Sequence, residues 1–190
     1  YNVNGKYYDF SCGWGVRMLS AMKNNVEYFG TDPNYMLVSR LNSLHESYNS
    51  VNDTKNKVNI KCSGSEVFHP EWENTIGVAF SSPPYFSLED YKIGNQSYTE
   101  GTTYKQWLED YLTRTIQNIH KYLVAEGFFL INVKNFSDYE LVQDTQRIAK
   151  ANGFERIDSI LLKNTTRPSA KADLNTNEIV MVFKKSINSN

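Results

Sequence analysis

The chain has 190 residues, 40% of them hydrophobic, and its 20 basic and 21 acidic residues leave a formal net charge of −1. This size and composition predict one folded globular domain and exclude a disordered chain. No apolar run approaches the roughly 20 residues of a membrane helix, and no signal-peptide pattern is present. Cys12 and Cys62 do not suggest a disulfide framework. We expect a reduced cytoplasmic setting, and the near-neutral charge argues against tight stand-alone binding of nucleic acid.

The first predicted unit is a strand at residues 7–10, a glycine-rich loop and a helix at residues 16–23. The loop reads DFSCGWG over residues 9–15. The helical spacing turns Val16, Leu19 and either Ala21 or Met22 inward. A strand, a glycine loop and a helix in this order place backbone N–H groups around a bound ligand.

A second strand, predicted at residues 26–31, ends on an acidic residue. Asp32 follows Gly15 by 17 residues, close to the roughly 20 expected for an acid that binds ribose hydroxyls. Met18 stands where a dinucleotide fingerprint needs its third glycine, and no Gly-Lys-Ser/Thr run for phosphate binding exists. The pattern therefore indicates an adenosine cofactor that has no phosphate for the loop to bind.

The next stretch predicts a helix over residues 33–48, with its proline in the first turn, and a strand at residues 57–62. The polar run SGSE at residues 63–66 ends this strand. Asp32 has a second interpretation here, because an aspartate just before a helix is a common N-cap. Capping and ribose binding do not exclude each other.

The most informative motif is Ser-Ser-Pro-Pro-Tyr at residues 81–85, which follows an apolar run at residues 75–80. The run predicts a buried strand, and two consecutive prolines cannot continue a sheet ladder. The rigid loop offers a hydroxyl, free carbonyls and an aromatic face at the edge where open α/β sheets bind ligands. These groups suit a planar base that carries an amino group; a simple strand terminator is the alternative.

The rest of the chain continues the alternation of strands and helices. A polar and aromatic stretch at residues 86–102 predicts a mobile loop. Five elements follow: a helix at 103–123, a strand at 128–133, a helix at 139–152, and strands at 156–162 and 178–184. This alternation predicts a mostly parallel sheet with helices on both faces, and a hairpin at its end.

Several polar residues are open to two interpretations. Lys134 and Asn135 leave the strand at 128–133 at the ligand edge, where they line a target pocket or merely solvate a turn. Lys163, Arg167 and Lys171 form a basic patch or belong to a solvated loop. Trp107 and Tyr111 are expected to pack within their helix.

The chain resembles the S-adenosylmethionine-dependent amino-methyltransferases that act on DNA, over roughly residues 7–160. The loop at residues 9–15 resembles the cofactor motif of this family, and Ser-Pro-Pro-Tyr at residues 82–85 resembles its catalytic motif. The runs GTDPN at residues 30–34 and INVKN at residues 131–135 are similar to phage-encoded members.

The resemblance implies an α/β, Rossmann-like methyltransferase fold with a seven-stranded, mostly parallel sheet, helices on both faces and an antiparallel last strand. Residues 1–190 would form a single methyltransferase domain, part of a longer polypeptide. The separate region that reads the target sequence in such enzymes is not visible. We therefore expect that an additional domain or a protein partner supplies target recognition, or that the specificity is very weak.

The resemblance also implies S-adenosylmethionine as the cofactor. The expected cofactor-binding residues are Asp9, Phe10, Gly13, Gly15, Asp32, Pro33 and Ser65. Phe10 or Trp14 would face the sulfonium in a cation–π contact. Packing beneath the glycine loop is the alternative for Trp14.

The catalytic residues implied by the motif are Ser82, Pro83, Pro84 and Tyr85. The Ser82 side chain and the Pro83 carbonyl would accept hydrogen bonds from the amino group of a base flipped out of duplex DNA. Tyr85 would stack on that base. Serine at position 82 favours cytosine N4 over adenine N6, and Ser81 could exchange roles with it after a small loop motion.

Other functions remain open on the sequence alone. The chain could be a non-catalytic nucleoside-binding or assembly module, or a methyltransferase that acts on RNA or a small molecule. No metal site is expected, because His45, His69 and His120 lack zinc spacing. No membrane partner is expected either.

Overall fold

The computed structural model describes residues 1, 4–88, 96–162 and 178–186. The strands in this part of the chain are β1 (Lys6–Asp9), β2 (Glu27–Thr31), β3 (Val58–Lys61), β4 (Ile76–Ser81), β5 (Leu123–Val133), β6 (Phe154–Leu162) and β7 (Glu178–Lys185). They form one sheet in the order β3-β2-β1-β4-β5-β7-β6. The predicted strand count is confirmed.

The direction of the strands also agrees with the prediction. Strands β1 to β5 pair in parallel, whereas β7 runs antiparallel to both of its neighbours, β5 and β6. Strand β5 begins at Leu123 rather than at residue 128. The early start arises because Leu123 already pairs with Ile76. The irregular residue Glu126, with a positive φ of 62°, lies between this first pair and the predicted start.

Helices cover the sheet, as predicted. They are α1 (Val16–Lys23), α2 (Tyr35–Asn52), α3 (Tyr104–Trp107), α4 (Arg114–Tyr122) and α5 (Leu141–Ala151). A π-helical stretch, Leu108–Thr113, joins α3 to α4, so that all three form one helical run. Short 3₁₀ turns lie at Pro70–Trp72 and Phe86–Leu88.

The long helical run has the start and the buried face that its sequence predicts. Thr103 begins it with a capping box, in which its side chain accepts from the backbone N–H of Gln106. The predicted apolar stripe is fully buried and comprises Leu108, Leu112, Ile116, Ile119 and Leu123. Trp107 and Tyr111 are buried in the same run, as expected.

The predicted inward face of α1 was wrong in its first turn. Val16 is 74% exposed, and the buried face consists of Met18, Ala21 and Met22, of which the last two agree with the prediction. The chain enters the helix through Gly15, whose φ of 81° lies in the left-handed region. This entry turns position 16 outward and shifts the apolar stripe to later positions.

An aromatic cluster fixes the part of the sheet that carries the candidate site. The ring of Tyr8, in β1, makes edge contacts with Trp72 and with Tyr122, at centroid distances of 5.6 and 5.4 Å. All three rings are essentially inaccessible to solvent. Such interlocked rings are difficult to displace, so they hold β1 against α4 and leave the strand ends as a fixed frame.

Parts of two predicted segments lie outside the described residues. They are residues 89–95 of the loop at 86–102, and residues 163–177, which include Lys163, Arg167 and Lys171. Within the described ranges, no helix combines the length and the apolar character needed to cross a bilayer.

Candidate active site

One cavity of about 390 Å³ opens at the carboxyl ends of β1, β2 and β4. Its lining includes five of the predicted cofactor-binding residues: Phe10, Gly13, Asp32, Pro33 and Ser65. It also includes the four predicted catalytic residues: Ser82, Pro83, Pro84 and Tyr85. Two motifs that lie some 70 residues apart in the sequence therefore share one crevice.

Gly15 does not line the cavity but supports the loop from behind. A Cβ atom at this position would lie 2.5 Å from Leu41 Cδ2 in α2, far inside a normal contact. The positive φ of Gly15 also favours glycine. Only glycine therefore allows α2 to pack this closely against the loop.

Asp9 is likewise placed beneath the loop and not at the cavity wall. Its side chain is fully buried, and its carboxylate accepts from Arg17 Nε at 2.8 Å and from the Tyr28 hydroxyl at 2.9 Å. Burial raises the pKa of Asp9, and the neighbouring Arg17 charge opposes that rise. The structure thus gives Asp9 a role in holding the loop.

Asp32 lines the cavity and connects the first two strand ends. One carboxylate oxygen accepts from the Asn34 backbone N–H at 2.9 Å, and the other from the Gly13 N–H at 3.3 Å. Because a carboxylate has about four acceptor positions, acceptor capacity remains for a ligand. Burial raises the pKa of Asp32, while these two N–H groups oppose the rise.

The alternative role of Asp32 as a helix N-cap was wrong. The helix α2 begins at Tyr35, and its N-cap is Asn34, whose side chain accepts from the Leu37 N–H at 3.2 Å. Pro33 lies in the connection before the cap, so the helix starts two residues later than predicted. Asp32 is therefore free of the capping role.

The far end of the cavity carries an acidic group that the sequence analysis did not single out. Glu66 lines the cavity, and its Oε2 atom is buried with no hydrogen-bond partner in the described part of the chain. Burial raises the pKa of this carboxyl. An unpartnered buried acceptor is costly, and it suits a ligand that brings an N–H or O–H group.

Ser65, beside Glu66, is held by the long helical run. Its hydroxyl lies 2.8 Å from Thr115 Oγ1 and 3.4 Å from the Tyr111 hydroxyl, and its carbonyl accepts from Asn118 Nδ2 at 3.0 Å. Tyr111, expected only to pack within its helix, also lines the cavity. The run therefore forms part of the cavity wall.

The corner after β4 is tied to β5. Ser82 Oγ accepts from Asn132 Nδ2 at 3.1 Å, and the Tyr85 hydroxyl donates to the Asn132 carbonyl at 3.3 Å. Pro83 and Pro84 have no N–H, and β4 ends at Ser81, as the motif predicts. Ser82 thus faces the cavity with a fixed hydroxyl oxygen.

Tyr85 is more buried than a free stacking platform would be, with 5% of its surface exposed. Phe136 meets its ring edge-on at 6.2 Å, and Lys134 Nζ lies 5.8 Å from the ring centroid. Lys134 therefore belongs to the surroundings of the site. Asn135 instead accepts from the Val142 N–H at 2.9 Å, which assigns it to the turn before α5.

The structure separates the two serines of the motif. Ser81 is fully buried, and its hydroxyl accepts from Arg17 Nη2 at 3.1 Å and donates to the Ser11 carbonyl at 3.3 Å. Only Ser82 of the pair lines the cavity. The expected exchange between Ser81 and Ser82 would require breaking these buried hydrogen bonds.

The aromatic residues of the first loop lie in contrasting places. Phe10 is 2% exposed and lines the cavity as part of the core. Trp14 is 84% exposed at the cavity rim, so its expected packing beneath the loop was wrong.

Two of the three histidines have hydrogen-bond partners, and the third packs against a ring, with its Nε2 atom unpartnered in the described part of the chain. His45 Nε2 lies 2.8 Å from the Asn56 carbonyl, His69 Nε2 lies 2.9 Å from Ser63 Oγ, and His120 packs edge-on against Phe154. Among the residues described, no group of three or more His, Cys, Asp or Glu side chains could hold a metal ion.

Comparison with known proteins places this geometry in a fold class. No family model matches the chain. A curated relative, the type II methyltransferase M.MwoI of Methanothermobacter wolfeii, is 33% identical over 128 residues. The match covers 60% of this chain and 18% of that protein, so the chain spans less than a fifth of its relative.

Two solved structures show the fold. A SAM-dependent methyltransferase from Methanosarcina mazei has a TM-score of 0.65 at 12% identity, covering 96% of this chain and 92% of that one. The cyclase SpnF has a TM-score of 0.66 at 14% identity, covering 96% and 75%. The chain thus has the Rossmann-like fold of the SAM-dependent methyltransferases. Because a cyclase shares this fold, the fold alone does not determine the reaction.

Proposed function

We propose that this protein transfers a methyl group from S-adenosylmethionine to the exocyclic amino group of a flipped DNA base, with cytosine N4 favoured over adenine N6. The observation that carries the proposal is the shared cavity. It joins Asp32, at the end of β2, to Ser82–Tyr85, after β4. A methyl donor and an amino acceptor would therefore meet within one enclosed space.

The residues present fit the cofactor. Asp32 has acceptor capacity for two ribose hydroxyls, and the unpartnered Glu66 Oε2 suits the amino group of an adenine ring. Gly13 brings its backbone close to the cavity, and a volume of about 390 Å³ lies within the usual range for a small-molecule site. S-adenosylmethionine, when bound, supplies an electrophilic methyl carbon and leaves as S-adenosylhomocysteine.

Ser82 and Pro83 would act on the amino group that receives the methyl group. The lone pair of an aromatic amine is delocalised into its ring, which makes the nitrogen a weak nucleophile. Ser82 Oγ, which accepts one hydrogen bond from Asn132, has a second lone pair for an amino N–H, and the Pro83 carbonyl can accept the other. These contacts favour a pyramidal nitrogen and strengthen as positive charge develops on it.

The transfer balances without a metal or an oxidant. The nitrogen lone pair would form the new C–N bond while the C–S bond of the methyl donor breaks. The two electrons of the broken C–S bond would stay on sulfur. The methylated nitrogen then releases one proton to solvent. Tyr85 and the proline loop would hold the base in line with the methyl carbon, which is the main contribution available to the protein.

The choice of DNA as the substrate rests on two supports. The motif Ser-Pro-Pro-Tyr lies at the cavity, and the relative M.MwoI, similar over 128 residues, is named a type II methyltransferase. The net charge of −1 gives no general affinity for phosphates. We therefore include in the proposal that an additional domain or a protein partner supplies target recognition.

The test is a titration followed by a transfer assay. Isothermal titration of the purified protein with S-adenosylmethionine should show one site per chain. Transfer of a tritiated methyl group should then be compared on duplex DNA, RNA and mononucleotides. Transfer to DNA supports the proposal. Binding without transfer would favour a non-catalytic module, and transfer only to RNA or nucleotides would contradict the choice of substrate.

A further inference from the structure

Arg17 is the feature of the site that the proposed chemistry does not yet use. It lies in the first turn of α1, and its guanidinium reaches two loops at once. Nε and Nη2 donate to the two carboxylate oxygens of Asp9 at 2.8 and 3.1 Å. Nη2 also donates to the Ser11 carbonyl and, at 3.1 Å, to Ser81 Oγ. Asp9 and Ser81 are fully buried.

These contacts lie just beyond the point where backbone pairing between β1 and β4 ends, so they connect the loops that follow these two strands. The register of β1 with β4 pairs Tyr7 with Val78 and Tyr8 with Ala79. Beyond Ala79, Ser11 follows β1 and Ser81 ends β4, and no backbone pairing between these two stretches appears in the described structure. The strands separate here, which opens the crevice, and their spacing is left to side chains.

The chemistry of the bridge requires an arginine. A planar guanidinium offers five N–H groups in fixed directions, whereas a lysine offers a single flexible ammonium. Three of the four hydrogen bonds come from Nη2, so a lysine ammonium with its three N–H groups can reach some of these acceptors, but it has no second nitrogen like Nε to fix its position against Asp9 Oδ2. The bridge therefore fixes geometry, a role distinct from simple charge compensation.

We infer that Arg17 is a positioning residue that sets the distance between the loop at residues 9–15 and the Ser82–Tyr85 loop. This inference rests on the proposed function, in which the first loop holds the methyl donor and the second holds the amino group. A misplacement of about 1 Å between reacting groups can cost about 100-fold in rate. Arg17 also lines the cavity, but its four hydrogen bonds go to protein atoms of the two loops, so we expect the bridge to act on the transfer step through their spacing.

The test is Arg17→Lys, compared with Arg147→Lys as a matched control. Arg147 pairs with Asp144 on an exposed face of α5, so its variant makes the same change outside the site. Single-turnover transfer at saturating S-adenosylmethionine should fall about tenfold or more in Arg17→Lys. The dissociation constant for S-adenosylmethionine should stay within about threefold of wild type, and the control should match wild type in both values.

Ser81→Ala is the second variant, because it removes one end of the bridge and leaves the buried ion pair with Asp9 intact. It should lower the transfer rate in the same direction, with a fall of only a few degrees in melting temperature from the lost hydroxyl. Wild-type rates in folded Arg17→Lys and Ser81→Ala would overturn the inference. A parallel loss of rate and cofactor affinity would also overturn it, since Arg17 would then only support the cofactor loop.

Measurements on the wild-type protein distinguish a failure of the proposed function from a failure of the positioning role of Arg17. A wild-type protein that binds no S-adenosylmethionine and transfers no methyl group contradicts the proposed function, and the positioning role falls with it. An active wild type alongside an equally active Arg17→Lys contradicts the positioning role alone.

Discussion

The side chains of Asn132 and Ser82 are joined by a hydrogen bond of 3.1 Å, from Asn132 Nδ2 to Ser82 Oγ. The same nitrogen donates to Glu178 Oε2 at 2.9 Å. Because a carboxylate only accepts, Glu178 determines which end of the amide faces Ser82. Ser82 therefore has one lone pair occupied by the protein, and one lone pair and its own proton available to a ligand.

This relationship predicts that Asn132→Leu slows methyl transfer. The substitution keeps the approximate side-chain volume but removes the donor that fixes the Ser82 hydroxyl. We expect a loss of roughly tenfold in single-turnover rate, with unchanged affinity for S-adenosylmethionine. Glu178→Gln tests the orientation of the amide itself, since glutamine can donate as well as accept, and it should slow transfer less than Asn132→Leu. A wild-type rate in Asn132→Leu would show that Ser82 needs no such support.

Two variants of Tyr85 distinguish the contribution of its ring from that of its hydroxyl. Tyr85→Phe keeps the ring that lines the cavity and removes the hydroxyl, with its 3.3 Å hydrogen bond to the Asn132 carbonyl, so transfer should fall by less than about tenfold. Tyr85→Ala removes the ring and should abolish transfer while cofactor binding persists. The melting temperature must be measured in parallel, because Tyr85 is buried. Unchanged turnover in folded Tyr85→Ala would remove the base-stacking role.

Asp32 should make cofactor binding depend on pH. Its pKa is raised by burial, and ribose hydroxyls bind the ionised form more strongly. Affinity for S-adenosylmethionine should therefore fall as the pH drops through that raised pKa. Asp32→Asn should bind about ten- to a hundredfold more weakly near neutral pH and lose this dependence. Asp110→Asn, on an exposed helix face, is the control. Titrations at several pH values check the prediction, and an equal pH dependence in both variants would contradict it.

Glu66 should cost stability in the ligand-free protein. Burial raises its folded-state pKa above the ordinary 4.5, so folding disfavours the ionised form. The penalty is fully present above the folded pKa and disappears as the pH falls toward the unfolded value. Glu66→Gln should therefore raise the melting temperature near neutral pH by roughly 2–4 °C. This gain should vanish in acid.

Glu46→Gln provides the comparison for this measurement, because Glu46 lies on the exposed face of α2. Its melting temperature should equal that of wild type at each pH. A Glu66→Gln protein that melts below wild type near neutral pH would mean that Glu66 has a stabilising partner in the protein, and the ligand-binding role would lose its support.

The sequence predicted most of the fold because its elements have strong local signals. The helix expected at residues 16–23 is α1, and the strand expected at residues 26–31 is β2 to within one residue. Apolar runs bounded by glycine, proline and polar turns carry this information. The predicted orientation of Val16 was wrong because the left-handed conformation of Gly15 determines which side of the helix the first residues face. The spacing of apolar residues alone does not reveal that conformation.

The sequence predicted those site residues that belong to recognisable motifs, and it missed the residues that reach the site from elsewhere in the chain. Arg17 was missed because its bridging partner, Ser81, lies 64 residues away, on a strand that becomes its neighbour only in the folded sheet. Asn132 was missed for the same reason, because it meets Ser82 from 50 residues away. Glu66 was missed because its place at the cavity follows only from the folded chain. A cation two positions after the loop glycines, following an aspartate that ends a buried strand, was the available signal for the Arg17–Asp9 pair.

The most direct measurement of the central claim is mass spectrometry of nucleosides from unmethylated duplex DNA, treated with the protein and S-adenosylmethionine that carries a trideuterated methyl group. We expect N4-methyldeoxycytidine that is three mass units heavier than the natural nucleoside, and we expect it to be absent with Tyr85→Ala. Labelled N6-methyladenine would correct the choice of base and leave the mechanism intact. If the DNA stays unlabelled although the cofactor is bound and any expected recognition partner is supplied, the proposed methyl transfer to DNA is wrong.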